Sequence, residues 1–160
     1  MFADTATTLL LCYSFHMQKG IDFIGIAVCP FVHDGKGNYL FGKRTENCRD
    51  EHGCWEPTGS GGLKFGETIE DTLHREVKEE LGADIKEIEF IGRRELFREH
   101  EGKKTHWILF DYRSRVDPEQ VKIMEQEMCA ELRWEKFDEI PLPAYSPYAE
   151  VLKKYKDQLI

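Results

Sequence analysis

Between residues 69 and 81, Ile69, Leu73, Val77 and Leu81 recur every four positions with polar and charged residues between them. That is the period of a helix with one apolar stripe turned to a core. Thr68 just before the stripe is a good N-cap, Asp71 three residues later imitates a capping box, and Gly82 supplies a stop. Elsewhere the pattern changes. Residues 23–32 and 39–44 are rich in β-branched and aromatic residues and flank the turn sequence 34–38, which predicts a hairpin. Residues 45–54 are polar and loop-like, and lead into Trp55-Glu56-Pro57 and the glycine run 58–62. Residues 85–99 and 104–115 read as two strands around a turn containing Gly102. A loop over 117–129 with room for a short helix comes next, then a strand over 131–137 and a terminal helix over 146–159. Strands on both sides of a central helix, with another helix last, predict an α/β fold with a mixed sheet between helices.

The predicted central helix also carries Glu76, Glu79 and Glu80. At the helical repeat these fall within an arc of roughly 100° at the edge of the apolar stripe. Glu76 and Glu80, four residues apart, repel by a few tenths of a kcal/mol on an isolated helix. Beside a buried stripe the penalty grows, because partly desolvated carboxylates repel more strongly. A hard dication removes it, since Mg²⁺ takes oxygen ligands through a few carboxylates and substrate phosphates. A solvated acidic face is the ordinary reading of such a run. It leaves the glycine run and the stacked like charges unexplained.

Gly61, Glu67, Arg75-Glu76-Val77, Glu79-Glu80 and Gly82 resemble the Nudix box, G-x5-E-x7-R-E-U-x-E-E-x-G-U with U aliphatic. Only the last position departs, where Ala83 is smaller than the usual residue. A chance match in a chain of this length is on the order of one in millions. Flanking features extend the resemblance over most of residues 22–140. It implies an α/β/α sandwich with a mixed central β-sheet, formed by a single domain over 21–160. It also implies Mg²⁺-dependent hydrolysis, with Mn²⁺ able to substitute, of a phosphoanhydride in a nucleoside diphosphate linked to another group. The implied metal ligands are Glu76, Glu79, Glu80 and the main-chain carbonyl of Gly61. Glu67 and Arg75 orient them, with Arg75 pairing either to Glu67 or to Glu79. The glycine run first serves the tight turn at the helix entrance and can also present N–H groups to phosphate.

The general base comes from the box in some members of this family and from a distant loop in others. In the stretch 125–134, which holds Glu125, Glu127 and Glu131, Glu127 is the first choice. The substrate pocket is expected to draw on Phe23, Arg44, Trp55, Trp107 or Tyr112, foremost Arg44, Trp107 and Tyr112. No further motif selects one substrate. Two rivals are weaker. An isopentenyl-diphosphate isomerase would place Cys54 beside Trp55, but the stretch 52–62 lacks the surrounding cysteine and histidine pattern. A noncatalytic nucleotide-binding regulator would lose box acids, which are intact here.

Composition adds bounds. The 160 residues suffice for one domain with a real core. A net charge of −8 argues against a DNA partner, which needs a basic surface. It leaves a small anionic nucleotide open, because bound metals invert the local field. Five cysteines (Cys12, Cys29, Cys48, Cys54, Cys129) without a CxxC pattern fit a reduced, cytoplasmic protein; a monomer or a homodimer is expected. Cys48, His52 and Cys54 lack an evident fourth ligand for zinc. Leu9 to Cys12 is too short an apolar run to span a membrane and lacks the basic start of a signal peptide. Residues 1–20 read as an N-terminal extension: disordered, vector-derived or misannotated, or an added strand.

Overall fold

The computed structural model describes residues 17–160. Alternation along strand β1 (Gly25–His33) sends Val28 and Val32 to one face of the sheet and Cys29 and Phe31 to the other. The next strands are β2 (Tyr39–Arg44), β3 (Trp55–Pro57) and β4 (Gly61–Gly62), then helix α1 (Ile69–Leu81). The long strands β5 (Ile85–His100) and β6 (Lys103–Val116) follow, then β7 (Cys129–Glu135) and helix α2 (Tyr148–Leu159). The sheet order is β3-β2-β1-β6-β5, with β4 added to β1 and β7 to β2. β1 and β6 run parallel, from Gly25 opposite Trp107 to His33 opposite Arg115, while the other pairings are antiparallel.

Each face buries one helix. Leu73, Val77 and Leu81 of α1 pack on Val28, Val32, Leu40 and Val116. Tyr148, Val151, Tyr155 and Leu159 of α2 pack on Phe31, Tyr39, Phe41, Trp55 and Phe137. The result is the expected α/β/α sandwich around a mixed sheet. A polar link ties α2 to the sheet: Asp111, fully buried, accepts the Tyr155 hydroxyl at 2.7 Å and the Arg94 Nε at 3.0 Å.

Several details differ from the sequence reading. Gly61 and Gly62 form a strand paired to Ala27 and Val28, so the glycine run does more than turn the chain toward the helix. With no side chains to pattern, that strand was invisible to periodicity. β7 starts at Cys129, and Phe137 lies beyond it as a buried aromatic plug. Ile69 is only partly buried, because the stripe reaches the sheet from Leu73 onward. Of the extension expected over 1–20, residues 1–16, with Leu9 to Cys12, lie outside the described residues. Among the described residues, no helix is long and apolar enough to cross a membrane.

Candidate active site

Helix α1 is clamped at both ends. Thr68 Oγ1 accepts the Asp71 N–H and the Asp71 carboxylate accepts the Thr68 N–H, both at 3.1 Å, and Gly82 closes the helix at φ 67°. With the apolar stripe fixed on the sheet, the acidic edge turns toward the glycine run. The Glu80 carboxylate accepts the Gly59 N–H at 2.7 Å. Gly59 has φ 88°, a conformation that favours glycine. The Glu76 carboxyl lies where a side chain on Gly61 would begin: a Cβ there would sit 1.9 Å from its Cδ. Pairing of β4 with β1 holds Gly61 in that position.

Arg75 satisfies both pairings at once. Its Nε and Nη2 donate to the two Glu67 oxygens at 2.7 and 2.9 Å, and its Nη1 to Glu76 at 2.5 Å and Glu79 at 3.1 Å. Nη2 also reaches the Gly62 carbonyl at 3.2 Å, locking strand β4 to the helix. The Arg75 hydrogen bonds hold the Glu67 carboxyl down at about 2. Glu80 behaves in the opposite way. Burial pushes its carboxyl up to about 8, the Gly59 N–H opposes this, and the charges of Glu76, Glu125 and Glu56 add to it.

Among the described residues, no three carboxylate, thiol or imidazole groups gather into a complete metal cage. Glu79 is drawn outward to Arg75 and its side chain is half exposed. Glu76 and Glu80 remain, with the main chain of Gly61. Two crowded carboxylates and backbone oxygen suit a cation that completes its shell with water and phosphate oxygens, as Mg²⁺ does. Cys48, His52 and Cys54 do not converge on a zinc site either: the His52 ring contacts the Cys48 carbonyl at 2.8 Å, and the Cys48 thiol points to the Met128 carbonyl.

Two cavities meet at this wall. One, about 300 Å³, is lined by Arg44, Glu56, Thr58, Glu80, Glu125 and Cys129 among others. The other, about 280 Å³, is lined by Gly61, Gly62, Arg94, Arg98, Trp107 and Tyr145 among others. Glu56, Pro57 and Ser60 border both. Arg44 pairs with Glu56 at 2.6 Å and Asp50 at 3.2 Å, and Arg98 pairs with Asp50 at 3.0 Å. The Tyr145 ring contacts both guanidiniums, 5.1 Å from that of Arg44 and 4.8 Å from that of Arg98. These contacts tie the polar loop 45–54 to the sheet and to the entrance of α2.

The expected pocket residues separate accordingly. Arg44 lines the first cavity and Trp107 the second. Tyr112 does not join them: side chains alternate along β6, so it faces the α1 side and packs 5.2 Å from Phe90. Trp55 is buried in the α2 core, and Phe23 lies before β1 and outside both cavities. Glu127 is exposed, and it is its backbone carbonyl that is engaged, by Asn47 at 2.9 Å. Glu125 instead borders the cavity beside Glu80, because the turn 125–128 carries the intervening residues outward. Glu56, Arg94, Arg98 and Tyr145 were not anticipated. A signal did exist for the arginines, since Arg94, Leu96 and Arg98 alternate along one strand and so share a face.

A family model described as NUDIX domain matches residues 24–155. Over 58 residues the chain is 43% identical to nucleoside triphosphatase NudI of Salmonella agona (strain SL483), covering 36% of this chain and 40% of that protein. Over 122 residues it is 29% identical to NAD-capped RNA hydrolase NudC of Mannheimia succiniciproducens, covering 74% of this chain and 43% of that one. The matches span less than half the length of these curated relatives. The fold resembles that of a MutT NUDIX hydrolase from Burkholderia pseudomallei, with a TM-score of 0.70 and 21% identity over 82% of this chain and 98% of that one.

Proposed function

This chain belongs to the NUDIX family, and from that premise we propose that it hydrolyses a phosphoanhydride in a nucleoside diphosphate linked to another group. The observation that carries the reading is Glu76 and Glu80 packed against the glycine backbone, with Glu80 lining the first cavity and Gly61 the second. Glu76, Glu79 and Glu80, with the Gly61 carbonyl, would hold Mg²⁺, or Mn²⁺ in its place. The ion would supply charge neutralisation at the diphosphate and a lowered pKa for a bound water. Arg75 and Glu67 keep the carboxylates and strand β4 in register. Glu125, at the rim of the cavity beside Glu80, takes the proton from water in place of Glu127. The substrate is a small nucleotide, in keeping with cavities of about 300 and 280 Å³.

The test is a panel of nucleoside diphosphate sugars, dinucleoside polyphosphates and nucleoside triphosphates with Mg²⁺, with products read by mass. Release of a nucleoside monophosphate from at least one is expected, falling to background in EDTA and returning when Mg²⁺ is restored. Full activity after exhaustive chelation, or no cleavage of any phosphoanhydride by folded, Mg²⁺-supplied protein, overturns the proposal. The base is tested separately. Glu125→Gln should slow turnover about a hundredfold, in the range for loss of a general base, whereas Glu127→Gln should leave it within about twofold. The reverse order would return the role to Glu127.

A further inference from the structure

The second cavity has an arginine whose charge is already neutralised by the protein but whose donors are not all engaged. Arg94 Nε donates to both oxygens of Asp111, at 3.1 and 3.0 Å, and Nη2 reaches the Cys29 sulfur at 3.4 Å. Among the described residues its other N–H groups have no hydrogen-bond partner, and its side chain, 16% exposed, lines the cavity. Arg98, on the same face of β5, differs: Asp50, Glu51 and Tyr145 occupy both of its terminal nitrogens. Arg49 pairs with Asp50 at the rim. Each cation here therefore has an acid beside it, so the cavity offers no surplus charge for another phosphate.

The remaining wall is largely apolar and includes Leu96, Leu109 and Val151. Trp107 lines it as well. The indole is seated on the backbone of Gly20 and Gly25, where a Cβ on either would come within 2.4 Å of the ring. One cavity thus holds an indole ring and a fixed group that only donates hydrogen bonds.

We propose that this cavity binds the nucleobase of the substrate and that Arg94 selects a base presenting carbonyl and ring-nitrogen acceptors, guanine over adenine. This rests on the hydrolase reading for the nature of the ligand. A guanidinium has no acceptor. The O6 and N7 of guanine accept its paired N–H groups, whereas adenine sets an amino donor against them. The base ring stacks on Trp107. Asp111 and Tyr155 act as positioning residues, since they hold the guanidinium in place.

The experiment is calorimetric titration of the full chain, with Mg²⁺, by GMP, IMP and AMP, which contain no phosphoanhydride to cleave. GMP and IMP should bind at least about tenfold more tightly than AMP, because both keep O6 and N7. Arg94→Lys preserves a cation for Asp111 but removes the paired donors, so the preference should shrink to within about twofold. Arg94→Gln combined with Asp111→Asn removes both charges together and should do the same, with melting curves confirming the fold. AMP binding as tightly as GMP, or a folded Arg94→Lys protein that keeps the preference, overturns the proposal. Hydrolysis with no base preference defeats base selection and leaves the hydrolase reading standing. A guanine preference without hydrolysis of any phosphoanhydride supports base selection and defeats the hydrolase reading.

Discussion

Glu80→Gln is expected to slow turnover at least about a hundredfold, the scale of losing one preorganised charged group at a reacting centre, while the metal-free protein becomes more stable above neutral pH. The two effects have one cause. Burial holds the Glu80 carboxyl at about 8 in the folded protein, against an ordinary value of 4.5. Between those values the unfolded chain has released its proton and the folded chain has not. Stability linked to this group is therefore fully present below 4.5 and is lost as pH rises through about 8. Glutamine has nearly the same shape, can still accept the Gly59 N–H, and does not titrate. In EDTA, variant and wild type should melt together at the acid end of that window. At its alkaline end the variant should be the more stable, by on the order of a few kcal/mol. Added Mg²⁺ should raise the melting temperature of wild type by mass action and that of the variant far less. A large loss of stability in the metal-free variant would mark Glu80 as scaffold.

Gly61→Ala should be nearly as damaging to turnover, although it adds one methyl group. The new Cβ would lie 1.9 Å from the Glu76 Cδ, within 2.2 Å of both carboxylate oxygens. Two groups cannot share that space. Strand β4 is pinned to Ala27 and Val28 of β1, whereas the Glu76 carboxyl is the far end of a flexible side chain, so the carboxyl moves. The fold should survive, with stability changing by about 1 kcal/mol or less, because backbone pairing and both cores are untouched. Turnover should fall about a hundredfold, with a higher Mg²⁺ requirement, as the carboxylate pair is split. Wild-type Mg²⁺ dependence in the alanine variant would detach Glu76 from the metal.

Glu76, Glu79, Glu80, Arg75 and Glu67 could be placed from sequence because one helix and its entry loop carry them all. Helical spacing relates neighbours on one element directly, and the capping residues announce where that element starts and stops. The long strands β5 and β6 were equally legible, since alternation and a glycine turn are local. That Glu125 and not Glu127 borders the cavity with Glu80 was not, because both lie in one exposed turn and only the placement of that turn against the rest of the fold sets which one lines the cavity. Tyr112 failed as a pocket residue for a related reason. Alternation separates it from Trp107, but which face of the strand opens onto a cavity depends on where the helices lie. Strand β4 has no side chains to pattern, and Arg94 acquires its meaning from Asp111, Tyr155 and Cys29, which lie on three other elements. The sequence alone thus determined the order of the elements other than β4, the family motif and the acidic edge of α1, all consequences of short-range pattern. The tertiary structure decided which carboxylates meet the glycine backbone, which loop acid borders the first cavity and which of Trp107 and Tyr112 lines the second, because those depend on contacts between residues far apart in the chain.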